Sequence, residues 1–258
     1  METIEKENNV ETLDVKTKTV VFLAENEAAF DTYVKIFKEM APGLVKPLPV
    51  YLPSEIKEAK KAPLEKWPEV VYPLIKYSLH KLEGEALDAP IVLCSNDLGL
   101  LEDLIIEQDT ANLISLKQSI TDYLERVEPS FEASLAIVAT RNFMNASGFL
   151  GYFEDGIDSL VNFTDDQKEN INSFIYDSLV PGKEIDSYKF LSVMDSLSKT
   201  SGKLFVICAC RLITTFMERE GYLSEKIDGI KTLADGTVWV DTIRTVAAST
   251  IKELESRS

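Results

Sequence analysis

Two short apolar runs in the first part of the chain each lead directly into a helical pattern. The first run covers residues 19–24 and is rich in β-branched side chains, and the second covers residues 89–94. Apolar runs of this length, bounded by turn residues, are typical of buried strands. Asn26 can cap the helix that follows the first run. The proline-containing stretch Leu48–Leu52 is a candidate third strand at a sheet edge, where proline is tolerated.

Helical patterns dominate after residue 112. Apolar residues recur at helical spacing over residues 113–127, and Thr164-Asp165-Asp166-Gln167 forms a capping box before another such stripe. Residues 135–139 and 204–217 are apolar nearly all round, as expected of central helices. No further strand is predicted from these patterns.

The sequence therefore predicts an α+β, α-rich chain in three parts. Residues 1–16 are polar and acidic and are predicted to form a flexible tail. Residues 17–110 are predicted to form a small α/β domain with few strands, which are apolar throughout and covered by helices. Residues 112–258 are predicted to form an all-helical domain.

The charge balance excludes some partners. The chain carries 27 basic and 43 acidic residues, for a net charge of −16. Nucleic acid is an unlikely partner because its binding depends on Lys and Arg displacing counterions. Lys57, Lys60, Lys61 and Lys66 lie close in sequence, but they alternate with glutamates and are predicted to form a solvated helix face. The longest apolar run is too short to span a bilayer, so no membrane insertion is expected.

The three cysteines, Cys94, Cys208 and Cys210, have apolar neighbours. An odd number of cysteines in such surroundings predicts reduced, buried thiols and a cytoplasmic location. No metal site is expected, because the Cys-x-Cys pair lacks further ligands and the acidic cluster at residues 154–169 does not match an EF-hand loop. No cofactor is expected either, since no phosphate-binding glycine loop is found.

A single histidine, His80, limits acid–base chemistry. It is the only side chain that titrates near neutral pH without a large shift of its pKa. His80 lies near the end of a predicted helix and has no evident orienting partner, so we expect an exposed helical residue rather than a general base. No catalytic residue is assigned from the sequence.

Two groups of residues are candidate functional surfaces. The aromatic residues Phe143, Phe149, Tyr152 and Phe153 surround a small-residue break and would form a partner or ligand surface if exposed together. The second group lies just past the two predicted strands. Because ligands bind at the carboxyl ends of parallel strands, these residues are expected to line a cleft between the domains: Glu25, Asn26, Ser95, Asn96 and Asp97.

One segment has a family resemblance. Residues 89–93, Ala-Pro-Ile-Val-Leu, followed by Glu102-Asp103 in the next helix, resemble the proline-before-strand and acidic-helix segment of glutathione S-transferases. The resemblance implies a thioredoxin-like first domain, an all-helical second domain and dimerisation. Residues 23–27 hold no Cys, Ser or Tyr where that family places its thiol-activating group. The resemblance therefore concerns the layout and not the catalytic group.

Three functional hypotheses follow. The first is a non-enzymatic acidic interaction or assembly protein, which contacts another protein or forms a homo-oligomer through its helical domain. The second is a small-molecule binder or enzyme with an inter-domain cleft, in a glutathione S-transferase-like layout. The third is a self-assembling structural protein, with which a viral origin would be compatible.

Overall fold

The computed structural model describes residues 17–109, 112–127, 133–154, 159–179, 186–198, 203–221, 230–232 and 237–257. The predicted tail, residues 1–16, lies outside these ranges. Within the described residues no helix is long and apolar enough to cross a membrane. The cytoplasmic location stays a prediction.

The first half of the chain builds a small parallel sheet covered by helices. Its strands are β1 (Lys18–Ala24), β2 (Val45–Tyr51) and β3 (Ile91–Leu93). Its helices are α1 (Glu27–Met40), α2 (Ile56–Ala59), α3 (Trp67–Val70), α4 (Tyr72–Leu79), α5 (Glu102–Gln108) and α6 (Leu116–Val127), with 3₁₀ turns at Leu64–Lys66, Gly84–Ala86 and Asn96–Leu101.

The strands of the first sheet lie in the order β2-β1-β3, and both pairings are parallel. The central strand β1 is fully buried from Val20 to Ala24, as expected for a strand covered on both faces. Strand β2 contains Pro47 and Pro49 and lies at the edge, where a missing N–H costs no ladder hydrogen bond. This strand confirms the extended piece predicted at residues 48–52, shifted by a few positions.

The second half builds a larger sheet. Its strands are β4 (Ser134–Val138), β5 (Ser159–Leu160), β6 (Leu204–Cys208), β7 (Ile230–Thr232) and β8 (Thr237–Asp241). Its helices are α7 (Arg141–Met144), α8 (Ser147–Glu154), α9 (Asp165–Ser173), which continues as a π-helical turn (Phe174–Ser178), α10 (Tyr188–Ser198), α11 (Arg211–Arg219) and α12 (Thr242–Ser256).

The two sheets share a strand arrangement. The second sheet has the order β5-β4-β6-β8-β7, in which only β7 pairs antiparallel. In each half the strand that comes first in the chain lies between the next two strands, as β1 does in the first sheet and β4 in the second. The carboxyl ends of the parallel strands therefore follow the same order along the sheet edge in both halves.

The halves also share a hydrophobic core. One buried cluster extends from Val20 in β1 to Leu254 in α12 and includes both faces of β4 and β6. Helix α12 packs against α1 and α6, and Lys18 Nζ donates a hydrogen bond to the carbonyl of Leu254. A smaller cluster around Trp67 and Ile75 covers the other face of the first sheet. The domain boundary at residue 111 stays a prediction.

The predicted all-helical second domain is wrong. The apolar runs at residues 135–139 and 204–217 were expected to be helices, but they form β4 and the unit of β6 followed by α11. Trp239, in the part of the chain predicted to be all helical, lies in β8. An apolar run of four to eight residues has no polar positions that would distinguish a buried strand from a buried helix. The glutathione S-transferase resemblance implied a thioredoxin-like domain followed by an all-helical one. This layout is also wrong, because the second half contains a five-stranded sheet.

Candidate functional site

The carboxyl ends of four strands, two from each sheet, line one pocket of about 180 Å³. Glu25 and Asn26 follow β1, and residues 94–97 follow β3. On the opposite side Thr140 follows β4, and residues 209–212 follow β6. Parallel sheets commonly bind ligands at this edge, because the chain turns into helices there and leaves polar groups free to face a crevice.

Ser95 and Cys210 occupy equivalent backbone positions in the two halves. The N–H of Cys94 donates to the carbonyl of Leu23, the next-to-last residue of β1, at 2.9 Å. The N–H of Ala209 donates to the carbonyl of Val138, the last residue of β4, also at 2.9 Å. The next residues, Ser95 and Cys210, have φ/ψ of −153°/120° and −145°/120°, and each immediately precedes a helix.

Cys210 is 9% exposed and contributes its side chain to the pocket wall. Burial raises the pKa of the Cys210 thiol to about 11, and the negative charge of Asp97 acts in the same direction. The backbone N–H groups of Leu212 and Ile213 at the start of α11, together with Arg211, act in the opposite direction. The thiol is therefore protonated at neutral pH, and its environment contains groups that favour the thiolate.

Lys60 connects the loops after β1 and β3. Its Nζ lies 2.8 Å from Glu25 Oε1 and 3.2 Å from Asp97 Oδ2, and it donates to Ser95 Oγ at 3.5 Å. Burial works to lower the pKa of Lys60, but the carboxylates of Asp97 and Glu25 outweigh it, and the pKa is raised. The side chain is therefore an ammonium ion between two carboxylates.

Asp97 also joins the two halves directly. Thr140 Oγ1, at the end of β4, donates a hydrogen bond to Asp97 Oδ1 at 2.8 Å. Tyr176 lies at the pocket rim, and burial, followed by the charge of Asp97, raises the pKa of its hydroxyl. The loop after β3 is therefore held against the second half at the point where the pocket opens.

A buried chain of polar groups fixes the next residue. Asn96 Nδ2 donates to Thr242 Oγ1 at 3.0 Å, and Thr242 Oγ1 donates to the carbonyl of Cys208 at 2.8 Å. Tyr33 OH lies 3.5 Å from Asn96 Oδ1. These contacts connect the ends of β3, β6 and β8. Because buried polar groups need hydrogen-bond partners, these contacts fix Asn96 and hold the end of β3 against the ends of β6 and β8.

An outer groove of about 570 Å³ shares Glu25, Lys60 and Asp97 with the inner pocket. Four basic side chains and two acidic ones line it: Lys57, Lys60, Lys61, Arg141, Glu25 and Asp97. Lys61 also pairs with Glu58 at 2.6 Å and Arg141 with Glu169 at 3.0 Å, so much of this basic charge is compensated.

The structure brings all five predicted cleft residues into the inner pocket. The predicted aromatic surface is not assembled in the same way: Phe143 and Phe153 are buried in the core and unavailable to a partner. Tyr152 is 44% exposed, and the side chain of Phe149 lies outside the described part of the chain. Among the side chains described in this group, only Tyr152 is exposed, and a surface role there stays a prediction.

Other predicted residues lie away from the pocket or were misread. His80 is an exposed residue that ends α4, with its Nε2 3.4 Å from Asp109 Oδ1. Lys60, expected on a solvated helix face, lies in the pocket, and so does Cys210, which was predicted only to be a reduced, buried thiol. Among the described residues, no group of three or more His, Cys, Asp or Glu side chains could hold a metal ion.

Comparison with known proteins supports the fold. No protein-family model matches the chain, and no curated protein matches it either. A candidate Asp/Glu racemase from Yersinia pestis has 15% sequence identity and a TM-score of 0.68, and the match covers 93% of this chain and 100% of the other. The Picrophilus torridus aspartate racemase has 15% identity and a TM-score of 0.67, with 92% of this chain and 94% of the other covered. An aspartate racemase homologue from Pyrococcus horikoshii has 16% identity and a TM-score of 0.66, with 93% of this chain and 100% of the other covered.

These neighbours contradict the hypothesis of a non-enzymatic assembly protein that acts through protein–protein contacts or oligomer formation. Proteins described as racemases or racemase homologues share the architecture over nearly its whole length. They equally contradict the glutathione S-transferase-like layout and the structural-protein hypothesis. The chain has the two-sheet, parallel α/β fold of Asp/Glu racemase-like proteins.

Proposed function

We propose that this protein is an enzyme that moves a proton at the carbon beside a carboxylate group of a small, amino-acid-sized substrate. The observation that carries the proposal is the position of Cys210. Its thiol stands at the carboxyl end of β6, in a pocket formed jointly by the two sheets. A fold hosts many functions, so the proposal rests on this site and not on the likeness alone.

The size and charge of the site favour a small carboxylate. The inner pocket, about 180 Å³, is below the range of about 300–1,000 Å³ typical of pockets for drug-sized ligands. The outer groove offers Lys57, Lys61 and Arg141 as hydrogen-bond donors to a carboxylate. Inside, two carboxylates, Glu25 and Asp97, and two cations, Lys60 and Arg211, line the pocket, which therefore offers acceptors for an ammonium group and donors for a carboxylate. An α-amino acid has both groups.

The chemistry assigned to Cys210 is general acid–base catalysis. As a thiolate, its sulfur takes the proton from the substrate carbon, and the electron pair of the broken C–H bond is delocalised into the adjacent carboxyl group. As a thiol, it returns a proton to that carbon. Burial keeps the resting thiol protonated, and the N–H groups of Leu212 and Ile213 favour the thiolate when the proton leaves. This is the bond that an aspartate racemase breaks and remakes.

The test is hydrogen–deuterium exchange at the α-carbon. Purified protein is incubated in D₂O with each enantiomer of aspartate and of glutamate, and loss of the α-proton signal is followed by NMR. We expect exchange with at least one of these amino acids. We expect Cys210→Ser to slow it by about 10²- to 10⁴-fold, the usual contribution of a general acid–base residue.

Cys208→Ala is the matched control, because Cys208 is a fully buried cysteine two residues away whose thiol does not line the pocket. This variant should retain the exchange rate. Equal rates in the Cys210→Ser and unsubstituted proteins, or no exchange with any of these amino acids, would contradict the proposed function.

A further inference from the structure

The two halves offer different chemistry at equivalent positions. The hydrogen bonds at the ends of β1 and β4 align Ser95 with Cys210, and both residues have nearly the same backbone angles before a helix. Both line the pocket, one from each sheet. A substrate carbon between them would face a thiol on one side and a hydroxyl on the other.

A hydroxyl does not replace the thiol as a base. Serine becomes a base or nucleophile only when an adjacent group takes its proton. The nearest candidate is Lys60 Nζ, 3.5 Å from Ser95 Oγ, but it is held as an ammonium by Glu25 and Asp97 and has no lone pair to offer. These two carboxylates are already engaged with Lys60, at 2.8 and 3.2 Å.

Cys94 does not supply a second thiol for the substrate. It corresponds to Ala209 in the other half, and both residues lie in the pocket wall one position before Ser95 and Cys210. Successive side chains of extended backbone point to opposite faces. Cys94 is 2% exposed and belongs to the core cluster that includes Tyr33 of α1. Its burial raises the pKa of its thiol well above the usual value.

Inverting a carbon centre requires a base on one face and an acid on the other, and the reverse reaction requires the two roles to exchange. We infer that proton transfer in this pocket is confined to the face of the substrate carbon that meets Cys210, so that the protein exchanges the α-proton with retention of configuration and does not racemise its substrate. This inference rests on the proposed function and specifies its stereochemistry.

The step is balanced with a single thiol. The Cys210 thiol, which is protonated at rest, first releases its proton to solvent. The thiolate then takes the proton of the substrate carbon, and the electron pair of the C–H bond remains on the carbon and its carboxyl group. In D₂O the new thiol exchanges its proton with solvent and returns a deuteron to the same face. The C–D bond replaces the C–H bond, and the thiolate is restored.

Four proteins test the inference by moving the thiol between the halves: the unsubstituted chain, Ser95→Cys, Cys210→Ser and the double variant. Ser and Cys are close in size, so the backbone should accept either residue at both positions. Each protein is incubated in D₂O with each pure enantiomer of aspartate and glutamate. NMR measures deuterium at the α-carbon, and chiral chromatography measures the enantiomer ratio.

We expect the unsubstituted protein to exchange one enantiomer at least 100-fold faster than the other, with the enantiomer ratio unchanged. Ser95→Cys should racemise the substrate, so that the ratio of the two enantiomers approaches one. The double variant should prefer the opposite enantiomer, and Cys210→Ser should exchange neither. Racemisation by the unsubstituted protein overturns this inference and leaves the proposed function intact. A complete lack of exchange by the unsubstituted protein with all four amino acids overturns both.

Discussion

Replacing Asp241 with asparagine should stabilise the protein at alkaline pH and not at acidic pH. Asp241 is fully buried at the end of β8 and caps α12, where its Oδ1 accepts the N–H of Ile243 at 2.8 Å. Its Oδ2 has no hydrogen-bond donor among the described residues and lies 3.5 Å from Arg244 Nε. The carboxylate is thus only partly compensated for its burial.

The pKa of Asp241 sets the size and sign of the effect. Burial raises this pKa to about 7 from the ordinary 3.8; Glu218 raises it as well, while Ile243 N–H and Arg244 lower it. The folded state therefore binds a proton more tightly than the unfolded state. Below pH 3.8 both states are protonated and the neutral side chain costs nothing. As pH rises through 7 this stability is lost, by roughly 4 kcal/mol at 1.36 kcal/mol per pKa unit.

Asparagine remains neutral at every pH and is as good a helix cap as aspartate. Arg244 keeps Glu39 and Glu218 as partners, at 3.2 and 3.5 Å. We therefore expect Asp241→Asn to raise the free energy of unfolding at pH 8 by up to about 4 kcal/mol and to leave it nearly unchanged at pH 4. Urea unfolding at both pH values measures the difference, provided that the slope with urea stays constant.

Asp186 provides the matched control. It is an exposed aspartate whose Oδ1 also accepts an N–H two residues later, from Tyr188 at 3.1 Å. Asp186→Asn should change stability by no more than about 0.5 kcal/mol at either pH, as usual for a surface substitution. If Asp241→Asn has the same effect at pH 4 and pH 8, then the buried carboxylate does not titrate as argued.

Other predictions concern the pocket. Lys60→Met should lower the exchange activity, and it should lower the free energy of unfolding by about 1–3 kcal/mol because Glu25 and Asp97 lose their shared partner. NMR measures the exchange and urea unfolding measures the stability. A fully active variant would contradict the role assigned to Lys60. Alkylation of Cys210 by iodoacetamide, followed by peptide mass spectrometry, should accelerate about tenfold per pH unit from pH 7 to 10, since its pKa is about 11; a rate that levels off near pH 8 would refute that pKa. Asn96→Ala should cost about 1–3 kcal/mol in urea unfolding, because it leaves buried polar partners unsatisfied; a neutral effect would mean that the bridge contributes nothing.

The first sheet was predictable because its boundaries are marked in the sequence. Asn26 caps α1 and Pro90 precedes β3, so each apolar run has a visible end. Strand β6 lacks such marks. The run at residues 204–217 continues from β6 through Ala209 and Cys210 into α11 without a proline or glycine. The end of β6 is decided by its pairing with neighbouring strands, which are distant in the chain, so the local sequence does not reveal it.

The ambiguity between strand and helix also explains why only part of the candidate site was predicted. Residues after β1 and β3 were predicted to line a cleft because strand ends were visible there, and they do line the pocket. Cys210 was missed because a residue inside a predicted helix has no strand end to mark it. Lys60 was missed because its ion pairs with Glu25 and Asp97 join segments about 35 residues apart in the chain.

The equivalence of the two halves could not have been found by searching the sequence for repeats. Aligned through their hydrogen bonds, residues 93–96, Leu-Cys-Ser-Asn, meet residues 208–211, Cys-Ala-Cys-Arg, and no position is identical. The backbone requires only an extended residue before a helix, a condition that serine and cysteine both meet. The fold therefore leaves the choice between hydroxyl and thiol free at Ser95 and Cys210. On the proposed mechanism this choice determines which face of a substrate carbon can lose a proton, so a single atom, oxygen or sulfur at residue 95, separates a one-sided exchange reaction from racemisation on the same scaffold.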